Sequence, residues 1–449
     1  MAINYTGNYQ PSDVELFIAD ELLPVAQRTL VIYQMGDPAT LPEGRGLTYT
    51  FTRFNRFPLP FAPLAEGVPP IGESLTISQV TATMQQWGDA CKITDQAELS
   101  TKHPLMKTAN ELLGIQVGEV FERNCFLALL GGVQVNYVNS RGSRAALVAG
   151  DVLDVHTVNR TVAALNTLGA YKFMGPEQTD VKKKAGEQAS KAYKSPESAP
   201  HFVAINHTLV SGDWRENQTV VLASIYGKDN YLYNSEVGWW AGCRFCESNM
   251  VPFWTGFAAV TPTAVPTGGS FTAATTWNVI VTGSDTQNQY ESYVAQVSTT
   301  ITLLANGSMT LTTPSTAGYT YNVYVGTTTS PTNLGLSSQG PTSGPMQGQA
   351  VQLPPSTVVT ITGVGIFQVP PAAPATGVSV YPTYIIGKGY FANVKLKDVE
   401  VFWLDKPDKV DIANQLRIIS WKAFWGECIK NQLFGARIES ASAFSASFT

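Results

Sequence analysis

Hydrophobic positions along the chain change period several times. LTYTFTRFNRF, 47–57, alternates apolar and polar residues around Tyr49 and Phe51 and predicts a strand. SLTISQVTATMQQWG, 74–88, predicts a second. Between them lie Pro58, Pro60, Pro63, Pro69 and Pro70 with Gly67 and Gly72. Hairpin loops usually take about 2–5 residues, so this connection is unusually long, and its tip holds little material for a core. Upstream, residues 1–12 read as a loose arm. DVELFIADELLPVAQRTLVIYQ, from Asp13, has helical spacing, with Ser12 or Asp13 as cap and Pro24 as a kink. A long helix is predicted over 103–138, where Met106, Ala109, Leu113, Val117 and Val120 share one face. Pro104 fits its first turn, and Ser100 or Thr101 its cap. At 1.5 Å per residue such a spine is about 40–50 Å long. A shorter helix is predicted over 159–173 and a buried strand over 201–210.

At Thr255 the texture changes. From there to Ala375 the chain has only two charged side chains, Asp285 and Glu291, and is rich in Thr, Gly, Ser and Pro. WNVIVTG, SYVAQVSTTITLL, SMTLTTP, TYNVYVGTT and VVTITGVG are short strands separated by turn signals, the pattern of an immunoglobulin- or fibronectin-like β-sandwich. PPAAPATG, 370–377, reads as its exit linker. Charges return in GKGYFANVKLKDVEVFWLDKP, and the chain closes on a strand-like RIISWKAFWGECIKNQLFGARIES. The outer segments therefore form one α+β domain, and 255–375 is an insertion with neighbouring ends. The expected divisions are 1–40 (arm and helix), 41–90 (hairpin and base strands), 91–254 (spine helix and α/β core), 255–375 (inserted sandwich) and 376–449 (return into the core).

Composition narrows the function. Charged residues make up 14% of the 449, against about 25% in an average soluble protein, and the net charge of -5 is too mild for a nucleic-acid-binding polycation. The first residues lack a secretory pattern, and no apolar run approaches the ~20 residues of a membrane span. Five cysteines in so long a chain do not make a disulfide scaffold, and their usage fits a reducing cytoplasm. CRFC, Cys243–Cys246, is the one motif that invites metal or redox chemistry. It lacks a second CxxC and an opening helix, so two cysteines beside a sheet is the expectation. His103, His156, His201 and His207 have no ligand spacing, and HExxH and phosphate-cradling glycine loops are absent. No cofactor and no catalytic residue are expected. Lys182, Lys183, Lys184, Lys191 and Lys194 form a local basic cluster, readable as a solvated loop or as a DNA-facing patch.

Taken together, LAEGVPPIGESLTISQVTATMQQWGDACKITDQAEL, 64–99, resembles the major capsid protein family of N4-like phages, where a similar run leads into the spine helix. Trp87 stands where that family usually has tyrosine. NSEVGWWAGCRFCESNMVP, YPTYIIGKGYFANVKLK and the terminal WKAFWG and GARIES agree, so the resemblance covers most of the chain outside 255–375. It implies the Hong Kong 97 capsid fold, with an amino-terminal arm, extended loop, spine helix, and peripheral and axial domains. It also implies a virion subunit, made and assembled in the bacterial host cytoplasm, that forms pentamers and hexamers in an icosahedral shell around double-stranded DNA. A scaffold, portal or decoration protein would be partners, and no membrane. The hairpin becomes the extended loop across a neighbouring subunit, with Arg53, Arg56, Pro58, Pro60, Phe61, Glu66 and Pro69 as contact residues. Some capsids of this fold crosslink through a lysine in that loop. Here the first lysine of the chain is Lys92, so no such crosslink is expected. The insertion is expected to project outward, as a passive knob or a weak glycan binder. Two alternatives from other classes are an encapsulin-like compartment with protein cargo and a surface adhesin built on the sandwich alone.

Overall fold

The computed structural model describes residues 30–59, 63, 72–100, 104–173, 200–216, 221–222, 233–272, 276–285, 290–296, 301–327, 335–336, 353–363, 366–367, 370–404 and 415–445. Its α-helices, among those residues, are α1 (Asp95–Ser100), α2 (Leu105–Leu130), α3 (Val155–Thr167) and α4 (Thr208–Arg215). The chain divides into two units: Met1–Arg28, Gln86–Glu119 and Lys397–Phe424 in one, and Thr29–Gln85, Val120–Leu396 and Trp425–Thr449 in the other.

The larger unit is organised by a mixed sheet buried on both faces. Phe202–Asn206 lies at its centre, parallel to Cys243–Glu247 on one side and antiparallel to Ser379–Ile386 on the other. Glu236–Trp240 extends one edge, and Gly435–Ser440 and Val135–Tyr137 the other. Side chains alternate along a strand, so each strand feeds two cores. Phe202, Ala204, Phe245 and Ile385 face a core with Val158 and Leu165 of α3 and Val210 and Trp214 of α4. Val203, Ile205, Tyr384 and Ile386 face another, with Phe126 and Leu129 of α2 and Val31, Ile32 and Met35.

Local chemistry sets the ends of these elements, and several differ from the sequence expectation. α2 stops at Leu130, short of residue 138, where Gly131 and Gly132 follow and Val135–Tyr137 becomes a strand. α3 starts at Val155, because the Asp154 side chain accepts a hydrogen bond from Thr157 N, and it ends before Gly169 at φ +73°. The expected strand over 201–210 is strand only to Asn206. His207 caps α4 instead, its ring nitrogen accepting from Leu209 N. The expected strand over 74–88 is two strands, Ile77–Thr83 and Gln85–Thr94. Of the expected helix from Asp13, the part before residue 30 lies outside the described residues, and Ile32–Met35 is a single 3₁₀ turn.

The central sheet continues into 254–367, and one further, three-stranded sheet lies there. Thr276–Asp285 pairs with Tyr319–Gly326 over eight residues and with Glu291–Ala295. Thr263–Val265, Ser308–Thr312 and Val358–Ile361 form the three-stranded sheet. Phe271, Trp277, Val279, Val281, Met309, Leu311, Tyr321, Val323 and Ile361 fill the core they share. Trp254–Phe257 runs parallel to Glu291–Ala295 and antiparallel to Ser379–Ile386, which joins this region to the central sheet.

In the smaller unit, Gln116 of α2 donates to Asp89 at 2.7 Å and accepts from Trp421 Nε1 at 3.1 Å. Arg417 pairs with Glu98 of α1.

Candidate functional site

Thr48–Phe54 and Ile77–Thr83 form an isolated antiparallel pair, from Thr48 opposite Thr83 to Phe54 opposite Ile77. Burial falls steadily along it. At the base Ala82 and Met84 are buried with Leu41, Ala392, Val394 and Cys428, and Tyr49 and Phe51 pack partly against them. Lys430 reaches Asp37 at 2.6 Å and lies 5.2 Å from the Phe51 ring centroid. At the far end Phe54 is 61% exposed, Ile77 53%, Leu75 64% and Leu59 85%. That end is nonetheless ordered by hydrogen bonds: Asn55 N donates to Thr76 O at 3.0 Å, and Ser78 Oγ to Asn55 Oδ1 at 2.8 Å. It is a defined strand pair that presents apolar side chains to solvent.

Of the contact residues expected from sequence, Arg53, Arg56 and Pro58 stand exposed on this ribbon. Pro60, Phe61, Glu66 and Pro69 lie outside the described residues, as do all five lysines of the 182–194 cluster. A second exposed apolar surface was not anticipated. Val401, Phe402 and Trp403, near the end of Phe391–Leu404, are each about half exposed, and Lys422 Nζ sits 5.3 Å from the Phe402 ring centroid. The run VEVFWL lacks a polar alternation, which is the signal that marks it.

CRFC is strand, and three-residue spacing on a strand turns the two thiols to opposite faces: Cys243 enters one core and Cys246 the other. They do not converge on one ion. Burial pushes the Cys243 thiol up to about 12, away from the thiolate that redox or metal chemistry requires. All five cysteines are free, and no group of three or more His, Cys, Asp or Glu side chains is placed to hold a metal among the described residues. His207 is held neutral, its pKa pushed down to about 4 by burial. No described helix is long and apolar enough to cross a membrane.

Charge is used for anchoring. Glu439, wholly buried, takes two hydrogen bonds from Arg144 at 2.8 Å each and one from Arg437 at 3.0 Å. Arg144 also donates to Ala372 O at 2.7 Å and lies 3.5 Å over the Trp254 ring. One guanidinium therefore holds both stems of the 255–375 segment to the central sheet. A second clamp is Glu122 on α2, whose carboxylate accepts from Val31, Ile32 and Tyr33 N at 2.6, 2.7 and 3.1 Å. It fixes the backbone of residues 31–33 against α2. Partners roughly 90 to 300 residues apart leave no trace in sequence spacing.

No protein-family model and no curated protein sequence matches the chain. Solved structures do. The capsid of Ralstonia phage GP4 superposes with a TM-score of 0.50 at 11% identity, covering 98% of this chain and 98% of that one. The acid-stable capsid of Helicobacter pylori bacteriophage KHP30 superposes with a TM-score of 0.51 at 8% identity, covering 98% and 99%. Over nearly its whole length the chain has the fold of these capsid proteins, in line with the α+β Hong Kong 97 type that the sequence resemblance implied.

Proposed function

We propose that the chain is the major shell subunit of a tailed-phage capsid, of the N4-like kind by its sequence motifs. Copies of it close into an icosahedral shell around packaged double-stranded DNA. The observation that carries this reading is the ribbon whose burial falls toward an exposed, apolar far end, in a chain with the capsid fold. A two-stranded ribbon has marginal stability alone and needs a third layer to cover it. A neighbouring copy supplies that layer, with Arg53, Arg56, Pro58, Pro60, Phe61, Glu66 and Pro69 at the contact. Prolines in the connection lower the entropy lost on docking. Each copy gives a ribbon and receives one, a head-to-tail contact that closes into rings of five and six.

DNA is held without sequence preference, and Lys182, Lys183, Lys184, Lys191 and Lys194 are the candidates for facing it. The 255–375 segment folds as an inserted domain that projects outward. A scaffold, portal or decoration protein completes the particle, which assembles in the host cytoplasm. The test is the content of particles purified after expression in a cell. Shells that hold nucleic acid, or empty shells that fill when the packaging machinery is supplied, support the reading. Shells holding a defined protein cargo identify a cellular compartment instead.

A further inference from the structure

Thr276–Asp285 is buried on both faces, and beside Ile280 the second face is polar. Trp277, Val279 and Val281 enter the apolar core, while Asn278, Thr282 and Ser284 turn the other way and are buried too. The antiparallel neighbour repeats this, with Tyr321, Val323 and Val325 in the core and Asn322 and Tyr324 on the opposite face. Thr282 stands directly opposite Asn322 in the register, so the two side chains are cross-strand neighbours. Glu291, one of only two charged residues in 255–375, brings its carboxyl to the same place. Its Oε1 accepts from Asn322 Nδ2 at 2.7 Å and from the Tyr324 hydroxyl at 2.5 Å.

A hydroxyl, a carboxamide and a carboxyl thus meet where water is excluded. Thr282 and Tyr324 are wholly buried and Asn322 nearly so. Asn322 Oδ1 makes no hydrogen bond among the described residues, and the Thr282 hydroxyl acts on the Glu291 carboxyl. We propose that this is a self-crosslinking site, in which Thr282 Oγ1 forms an ester with Asn322 Cγ and Glu291 carries the proton.

The step balances without a cofactor. Thr282 Oγ1 attacks Asn322 Cγ, and its proton passes to the Glu291 carboxylate. The tetrahedral adduct collapses by cleavage of the Cγ–Nδ2 bond. Glu291 hands the proton to Nδ2, the atom it already contacts, and ammonia leaves. Nothing is oxidised or reduced. Burial raises the Glu291 carboxyl above its ordinary range, against the opposing pull of Tyr324, Asn322 and Thr282, which suits a group that takes up and releases a proton in one step. The same exclusion of water protects the finished ester from hydrolysis. The product is a covalent staple between adjacent strands of one chain, independent of whether the chain forms a shell.

The experiment is the intact mass of the full chain, purified alone and denatured. The wild type is expected to fall short of its sequence mass by one ammonia. Peptic digestion, needed because 255–375 contains no Lys or Arg, should yield one joined peptide pair carrying both positions. Thr282→Val and Glu291→Gln should show full mass and separate peptides. Thr282→Ser keeps a nucleophile and should keep the link, and Asn322→Asp should lose water in place of ammonia. Because the wild-type mass alone decides, a variant that fails to fold does not blunt the test. Wild-type protein at full mass, or an ammonia deficit mapped to unlinked peptides, overturns the proposal.

Discussion

Replacing Phe54 and Ile77 together by threonine probes the exposed far end of the ribbon without touching its base. The two residues are directly opposed, 61% and 53% exposed in the single chain, and threonine keeps the strand preference. Fully burying a phenylalanine or isoleucine contributes about 1.5–3 kcal/mol, so covering these exposed fractions contributes roughly 1–1.5 kcal/mol each. The pair is then worth about 2–3 kcal/mol per subunit contact, a weakening of roughly 30–150-fold at each one. Because the side chains are solvated in the isolated subunit, its own stability should hardly change. Assembly followed by light scattering and negative-stain microscopy against concentration should show the threshold raised at least about 30-fold. Circular dichroism should show an unchanged melting temperature for the unassembled subunit. An unchanged assembly threshold would refute the reasoning. So would a subunit that melts as early as one altered at buried Ala82 or Met84.

Other consequences follow from the buried charges and the stems. Burial raises the Glu427 carboxyl from its ordinary 4.5 to about 7. Its stabilising contribution is therefore complete below its ordinary value and lost as pH rises through about 7, by roughly 3 kcal/mol. Glu427→Gln should make urea stability higher at pH 8 and nearly unchanged at pH 4, and equal effects at both would contradict this. Glu122→Ala removes the acceptor of three backbone N–H groups, so hydrogen exchange at residues 31–33 should accelerate at least ~10-fold while exchange in the central sheet stays slow. Arg144→Met breaks the buried Glu439 pair and should cost about 3–5 kcal/mol in urea unfolding of the subunit, and a loss under ~1 kcal/mol would show that Arg437 suffices. Gly256 and Thr376 are bridge partners, so replacing 257–375 by a short glycine link should leave a folded remainder; a chain that no longer folds would show that the segment is not a separate domain.

What could be read in the sequence was what depends on neighbours along the chain. The alternation in 47–57, the stripe from Met106 to Val120 and the run WNVIVTG each fixed an element type, because period and burial are coupled locally. Element ends were less legible. Nothing in HFVAINHTLV announces that His207 turns from strand to cap, since its role rests on one hydrogen bond to Leu209 N. Met84 hides in an unbroken alternation, yet Met84 N bonds Leu47 O and the strand divides there. The ribbon's lack of a core was visible in its composition, whereas its gradient of burial was not. Arg144 and Glu439, far apart in sequence, could not have been paired by spacing, and neither could Thr282, Asn322 and Glu291, which only the register of three strands brings together.

The central claim is that this subunit is incomplete until copies of it meet. Expression of the full chain alone, followed by size exclusion with light scattering and negative-stain microscopy, tests it most directly. The account predicts closed shells, or rings of five and six subunits. A monodisperse monomer at every concentration, with or without a scaffold supplied, would contradict it.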